Sequence, residues 1–258
     1  MPYPIRYFVA GQIWHITHRC HNREFLLDQA VYRNIWVKWL YEAKDRYGVP
    51  ILNYVVTCNH IHLLVLAPED KEAIPRTMQL VAGRTGFEYN RRKRRKGAYW
   101  EKRYHATAIQ KDEHFIRCSL YIDLNMVRAK AVDHPKKWQH GGYNEIVKPK
   151  QRYRLIDHEE LSRLTGMEVN SSFHKQYKCW VDNVLKQGNL SRDEIWTTEV
   201  AVGSESFVEK IRKNLGFIGK KRISGFKRNE PMAVQEEIAE YGYGQSGNQL
   251  EWEIFSDL

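Results

Sequence analysis

Two strand-forming runs, Ile51 to Thr57 and His60-Ile61-His62-Leu63-Leu64-Val65-Leu66, are joined by a turn at Cys58-Asn59. A connection this short joins antiparallel neighbours, so the chain is committed to a sheet with antiparallel pairing. The second run stops before Pro68. Two more strands frame the pair. Gln12 to His18 alternates with period two, and Tyr104 to Gln110 reads as a fourth strand. Helices separate them. Asp28 is expected to cap a helix running to Tyr47, with Val31, Ile35, Trp36, Trp39, Leu40 and Ala43 at helical spacing and Gly48-Val49-Pro50 as its stop. A second helix is expected from Ala73 to Arg92. A third, capped by Asp112, runs to Val127 with Phe115, Ile116, Leu120 and Leu124 on its apolar stripe. The order β-α-β-β-α-β-α is a split βαβ pattern, an α+β fold with an antiparallel sheet and helices on one face.

From about residue 152 the texture changes to a small helical module. Capping-box patterns recur at Asp157/Glu160, Ser191/Glu194 and Ser206/Glu209, and Ser172 opens a helix stopped near Gly188. The division expected is a domain over 1–150, a helical accessory module over 151–228 and an acidic tail over 229–258, with a basic arm from Ile218 to Arg228 inside the module. A length of 258 residues, 42% of them hydrophobic, suffices for a sizeable core. No apolar run approaches the roughly 20 residues of a membrane helix. The Met1–Arg6 opening lacks a secretory stretch. Cys20, Cys58, Cys118 and Cys179 are widely spaced without a CxxC, which suits reduced thiols in a cytoplasm.

Charge is unevenly distributed. Residues 1–150 hold 26 basic and 14 acidic side chains, whereas residues 151–258 hold 15 and 17, with seven acids and no Lys or Arg after Arg228. A polycationic first part points to a polyanionic partner, most often nucleic acid. The densest run is Arg91-Arg92-Lys93-Arg94-Arg95-Lys96, with Phe87, Tyr89, Tyr99, Trp100 and Tyr104 nearby. Such a run is a solvated helix end or a phosphate contact, and cations beside stacking surfaces favour single-stranded nucleic acid.

Two constellations carry chemistry. His60 and His62 alternate on a strand, so both imidazoles share a face and can hold a divalent ion. Paired histidines are often only polar packing, but this strand is otherwise apolar. Tyr121 and Asn125 lie four apart on the last helix of the first part, hence on one face. A Tyr hydroxyl can attack phosphorus, and an amide oxygen can give a hard metal a third ligand. The amide and the phosphate tilt the choice of ion toward Mg²⁺ or Mn²⁺ over the Zn²⁺ that imidazoles alone would suit.

These residues carry a resemblance. Asn59-His60-Ile61-His62-Leu63-Leu64-Val65 resembles the His-hydrophobic-His signature of single-tyrosine HUH transposases. Tyr121-Ile122-Asp123-Leu124-Asn125-Met126-Val127-Arg128-Ala129 resembles the tyrosine helix of the REP-associated tyrosine transposases. Gly11 to Thr17, Asn22-Arg23 and Trp100 to Tyr104 match further, and the likeness spans roughly residues 1–147. It implies a ferredoxin-like core, Mg²⁺ or Mn²⁺ held by His60, His62 and Asn125, and Tyr121 as nucleophile. Two departures stand out: Met126 replaces the usual Pro, and Arg19-Cys20-His21-Asn22 replaces the usual Arg-Gly-Asn. Both bear on DNA contacts.

The activity so implied is cleavage and rejoining of single-stranded DNA at hairpin-forming sites through a 5′-phosphotyrosine, in the cytoplasm at the nucleoid, by a monomer or a homodimer. Arg19, Asn22, Arg23, Arg103 and the run Arg91 to Lys96 are the expected DNA contacts. His15, His18 and His21 are read first as structural and only second as DNA contacts. The rival functions are a replication or conjugation nickase, a non-catalytic nucleic-acid regulator on the same fold, and a hydrolase using water.

Overall fold

Strand register decides which side chains can meet. In the computed structural model, which describes residues 8–167, 172–188 and 190–215, β1 (Ile13–Arg19) lies between β3 (His60–Leu66) and β4 (His105–Ile109), antiparallel to both. β2 (Ile51–Val56) pairs with β3 on the outside, giving the order β2-β3-β1-β4 of a ferredoxin-like sheet. The three-residue link after Val56 is held by Thr57, whose backbone N–H and hydroxyl both donate to the His60 carbonyl. A short fifth strand, β5 (Ala201–Val202), comes from the accessory module and adds parallel to β4. It has too few residues to be legible as a strand beforehand.

Register places His15 and Thr17 of β1, Asn53 and Val55 of β2, His60 and His62 of β3 and His105 and Thr107 of β4 on one face. The opposite face carries α1 (Ala30–Tyr47) and α2 (Ala73–Lys93). Trp36 of α1 lies 6.3 Å, ring to ring, from Tyr54, and α1 is tied to α2 by the Trp39 indole donating to Glu88 at 2.7 Å. Trp36 is fully buried, so truncating it to Ala would cost about 3–5 kcal/mol. α1 begins one residue later than the sequence suggested, after Gln29, which makes no side-chain cap, and the Asp28 carbonyl accepts from Arg33. Gly48 ends it in the left-handed conformation, as expected.

The expectation of helices on one face holds for α1 and α2 but not for α3 (Glu113–Asp123). Asn53 donates to Ser119 and Asp123, which docks α3 on the histidine face. Asp112 caps α3 through the His114 N–H at 2.9 Å. The expected single helix to Val127 is divided at Leu124, and α4 (Asn125–Arg128) follows at once.

The C-terminal part covers both ends of the sheet. Gly141 and Ile156 bridge to β2, with α5 (Tyr143–Val147) and α6 (His158–Thr165) alongside, and β5 closes β4. Asp157 caps α6 as expected, accepting from Glu160 N–H. α7 (Ser172–Gln187) buries Phe173, Tyr177 and Val181, with Gly188 left-handed at its end. Two caps differ from expectation. Asp193, not Ser191, accepts from the Ile195 N–H that opens α8 (Ile195–Thr198), and Ser204, not Ser206, accepts from Phe207 at the start of α9 (Glu205–Leu215). The opening residues to 6, the arm from 218 to 228 and the acidic tail from 229 lie outside the described residues. All four cysteines are unpaired. Among the described residues no helix is long and apolar enough to cross a membrane.

Candidate active site

The β1, β3 and β4 ends nearest His60 open into a cavity of about 940 Å³. Its lining includes His60, His62, Tyr121 and Asn125, so the two separated sequence pairs converge on one space. Tyr121 reaches it because α3 is docked on the histidine face. Its ring lies 5.8 Å from that of His62 and 6.4 Å from that of His15. The Leu124 division does not separate Tyr121 from Asn125. Leu124 and Arg128 still donate to Leu120 and Leu124, so the four-residue spacing keeps both on one side.

Each ligand candidate is fixed by neighbours. Asn59 donates its amide to the Arg23 carbonyl, which turns its oxygen to His60 Nδ1 at 2.8 Å. An amide oxygen only accepts, so His60 Nδ1 carries the proton and its Nε2 keeps a lone pair. His62 Nε2 accepts from the Asn125 amide nitrogen at 3.0 Å, and its Nδ1 lies 2.9 Å from His15 Nε2. Burial first, then nearby Arg19, Arg192 and Arg128, push the pKa of His60 down to about 4. Burial likewise holds His62 well below the ordinary range, with His60 and His15 adding to it. Both imidazoles are neutral at physiological pH, the form that ligates metals.

Tyr121 is held by Arg128, whose guanidinium lies 4.1 Å from the ring centroid and donates to the Tyr121 carbonyl. Burial raises the phenol pKa, and Arg128 and Arg192 pull against that rise. Two cations beside the ring favour the phenolate that a nucleophile requires.

The cavity rim is cationic. Arg19, Arg23 and Arg103, expected as DNA contacts, line it, and so do Lys102, Arg128 and Arg192, which the sequence reading did not single out as contacts. Arg128 stands in the tyrosine motif seven residues after Tyr121, two helical turns on, and that spacing was readable. Arg192 belongs to the accessory module, where no signal marked it. Asn22 is not in the lining; it and Arg23 form consecutive left-handed positions, φ 50° and 59°, in the turn after β1. Arg91 to Lys96, at and just past the end of α2, are not in the cavity lining, and Arg95 pairs with Glu24 at 3.6 Å. Of the aromatics near that run, Phe87 is exposed while Tyr99 is buried. His15 and His18 are buried, and His18, which also lines the cavity, stacks on Trp100 with 4.2 Å between ring centroids.

Among the described residues no three His, Cys, Asp or Glu side chains are grouped to hold a metal. The donors present are two imidazoles and one amide, a set that leaves open positions for substrate oxygens.

Residues 8–125 match the family model described as "Transposase IS200 like". Among solved structures, a REP-associated tyrosine transposase bound to a REP hairpin is 19% identical, with a TM-score of 0.49, over 58% of this chain and 87% of that one. A candidate transposase from Deinococcus radiodurans is 15% identical, with a TM-score of 0.33, over 50% of this chain and 92% of that one. A search of the curated proteins finds no match.

Proposed function

We propose, from the match of residues 8–125 to the IS200-like transposase family model, that the chain is a transposase of that kind and cleaves and rejoins single-stranded DNA with Tyr121 as its nucleophile. The observation that carries the reading is the meeting of Tyr121, His60, His62 and Asn125 in one cation-rimmed cavity. A folded strand binds with its unpaired flank across Arg19, Arg23, Lys102 and Arg103, which neutralise its phosphates. Its folded part is a hairpin, the ligand named for the REP-associated transposase above. The Tyr121 oxygen attacks the scissile phosphorus, the bond to the 3′ oxygen breaks, and that oxygen leaves as a 3′-hydroxyl after taking up a proton. A 5′-phosphotyrosine remains. Attack by a second 3′-hydroxyl reverses the step, joins the strands and frees the phenol, with no ATP consumed.

His60 and His62, through Nε2, and the amide of Asn125, turned to present its oxygen, would hold Mg²⁺ or Mn²⁺, and the ion would supply Lewis-acid polarisation of the phosphate. The neutral imidazoles, the amide and the space beside them fit such an ion. Arg128 stabilises the phenolate.

The test is incubation with single-stranded hairpins from DNA flanking the gene, with Mg²⁺ or Mn²⁺, followed by a denaturing gel. A covalent protein–DNA adduct is expected in the wild type and none in Tyr121→Phe, which still binds the hairpin. Cleavage that survives Tyr121→Phe would transfer the reaction to a water nucleophile.

A further inference from the structure

We propose that His15 is a positioning residue that fixes the ring proton of His62, and that the accessory module anchors it through the Trp196 carbonyl. The inference rests on the metal-holding role given to His62 above. The juxtaposition is a line of three groups. His15 is wholly buried in the middle of β1. Its Nδ1 lies 2.8 Å from the Trp196 carbonyl oxygen, and its Nε2 lies 2.9 Å from His62 Nδ1. The two imidazoles are stacked, 8° from parallel with centroids 5.0 Å apart.

The direction of each hydrogen bond follows from what the atoms can do. A carbonyl oxygen only accepts, so His15 Nδ1 carries the proton. A neutral His15 then has a lone pair at Nε2, so the bond to His62 must be donated by His62 Nδ1. That leaves the lone pair of His62 on Nε2, the atom that faces Asn125 and the cavity. Without His15, nothing at Nδ1 holds the proton there, and a proton on Nε2 would occupy the position a cation needs. The carbonyl that begins the line is also gripped by β4, since Thr107 donates to the carbonyls of Trp196 and Glu199. The Trp196 ring packs against Tyr121 at 6.0 Å between centroids. Residue 196 therefore touches β1 and β4, through His15 and Thr107, and also Tyr121, although it lies 71 positions beyond the segment that matches the transposase family.

The experiment uses the full-length, ¹⁵N-labelled, metal-free protein. Long-range proton–nitrogen spectra of the histidine rings, with His62 assigned by its loss in His62→Gln, report which ring nitrogen is protonated. The expected result is a proton on Nδ1 and an unprotonated Nε2. A proton on Nε2, or an average of the two forms, overturns the proposal. Calorimetric titration with Mn²⁺ gives the second readout. His15→Phe fills the space but offers no acceptor, and about 10–100-fold weaker binding is expected, the usual cost of losing an outer partner of a ligating histidine. His15→Gln keeps an acceptor toward His62 and a donor toward Trp196, and should restore affinity to within a few-fold. Wild-type affinity in a folded His15→Phe protein would overturn the role. If the wild type takes up no Mn²⁺ at all, the metal-dependent reading of function falls, while the ring-proton spectra still decide what His15 does.

Discussion

Asp123 gives the structure a pH signature that can be isolated. Its carboxyl is buried on α3, two residues past Tyr121, where the Tyr177 hydroxyl and the Asn53 amide donate to it. Burial raises its pKa to about 7, and those donors with the Tyr143 backbone offset only part of the rise. Between pH 4 and 7 the unfolded chain carries an ionised Asp123 while the folded chain keeps it protonated. The folded state then binds more protons, so this group's contribution falls as pH rises, by up to about 1.4 kcal/mol per pH unit, and levels off above about pH 8. From pH 5 to 7 the loss is about 2 kcal/mol.

Six histidines oppose that slope. His15 is pushed down to about 3, His60 and His140 to about 4, His62 well below its usual value, and His158 and His174 below theirs, all chiefly by burial. Unfolded, each takes up a proton below about pH 6.5, so their contribution grows as pH rises from 4 toward 6.5. The total curve mixes both signs, and the difference between wild type and Asp123→Asn separates them. The variant keeps the shape of the protonated acid and loses the titration. Urea unfolding followed by tryptophan fluorescence in EDTA, from pH 5 to 8.5, should give a wild-type advantage that shrinks by about 2 kcal/mol between pH 5 and 7. A difference that stays constant or grows with pH would mean that Asp123 is ionised in the fold, and the reasoning from burial would be refuted.

Three further outcomes are expected. Asn125→Ala removes the amide facing His62 Nε2 and should weaken Mn²⁺ binding by about 10-fold or more while leaving hairpin binding intact; equal affinity by calorimetry would exclude the amide as a ligand. Replacing Arg91 through Lys96 by Gln should flatten the slope of log affinity against log salt by about 0.7 for each phosphate no longer neutralised, roughly 2–4 in all, and an unchanged slope would place the run off the DNA path. Gly142→Ala puts a methyl group against Asn53 Oδ1 and Ile156, displacing the side chain that docks α3. It should destabilise by about 1–3 kcal/mol, and an unaltered melting temperature would show that the site relaxes freely.

The sheet and its four main strands were legible because short strands with clean alternation, a short link and a proline stop leave few alternatives. That His60 and His62 share one face, and Tyr121 and Asn125 another, was legible from the strand period and the helix period, whereas the meeting of the two pairs was implied by the family resemblance. The docking of α3 opposite α1 and α2 was not. It depends on Asn53, a polar residue inside a strand that is otherwise almost wholly apolar, and on which partner its amide finds. The caps at Asp193 and Ser204 were missed because Ser191 and Ser206 offer the same local pattern, and tertiary packing chooses between them. Arg192 and Trp196 carried no local signal, since both act through contacts with residues far away in sequence.

That last point bears on how the two parts of the chain divide the work. A four-stranded sheet with α1 and α2 on one face leaves its histidine face and both outer strands bare. Exposed strand edges and a bare apolar face are costly and invite other chains to pair. Here the segment from 138 to 156 lies along β2, β5 lies along β4, and α7 with α8 covers what α3 leaves open. The same covering carries Arg192 to the cavity rim and the Trp196 carbonyl to His15. One arrangement thus completes the core and sets the electrostatics around Tyr121. A substitution that loosens α8 should therefore weaken stability and the catalytic pocket together, whereas one at the exposed end of α2 should alter DNA affinity alone.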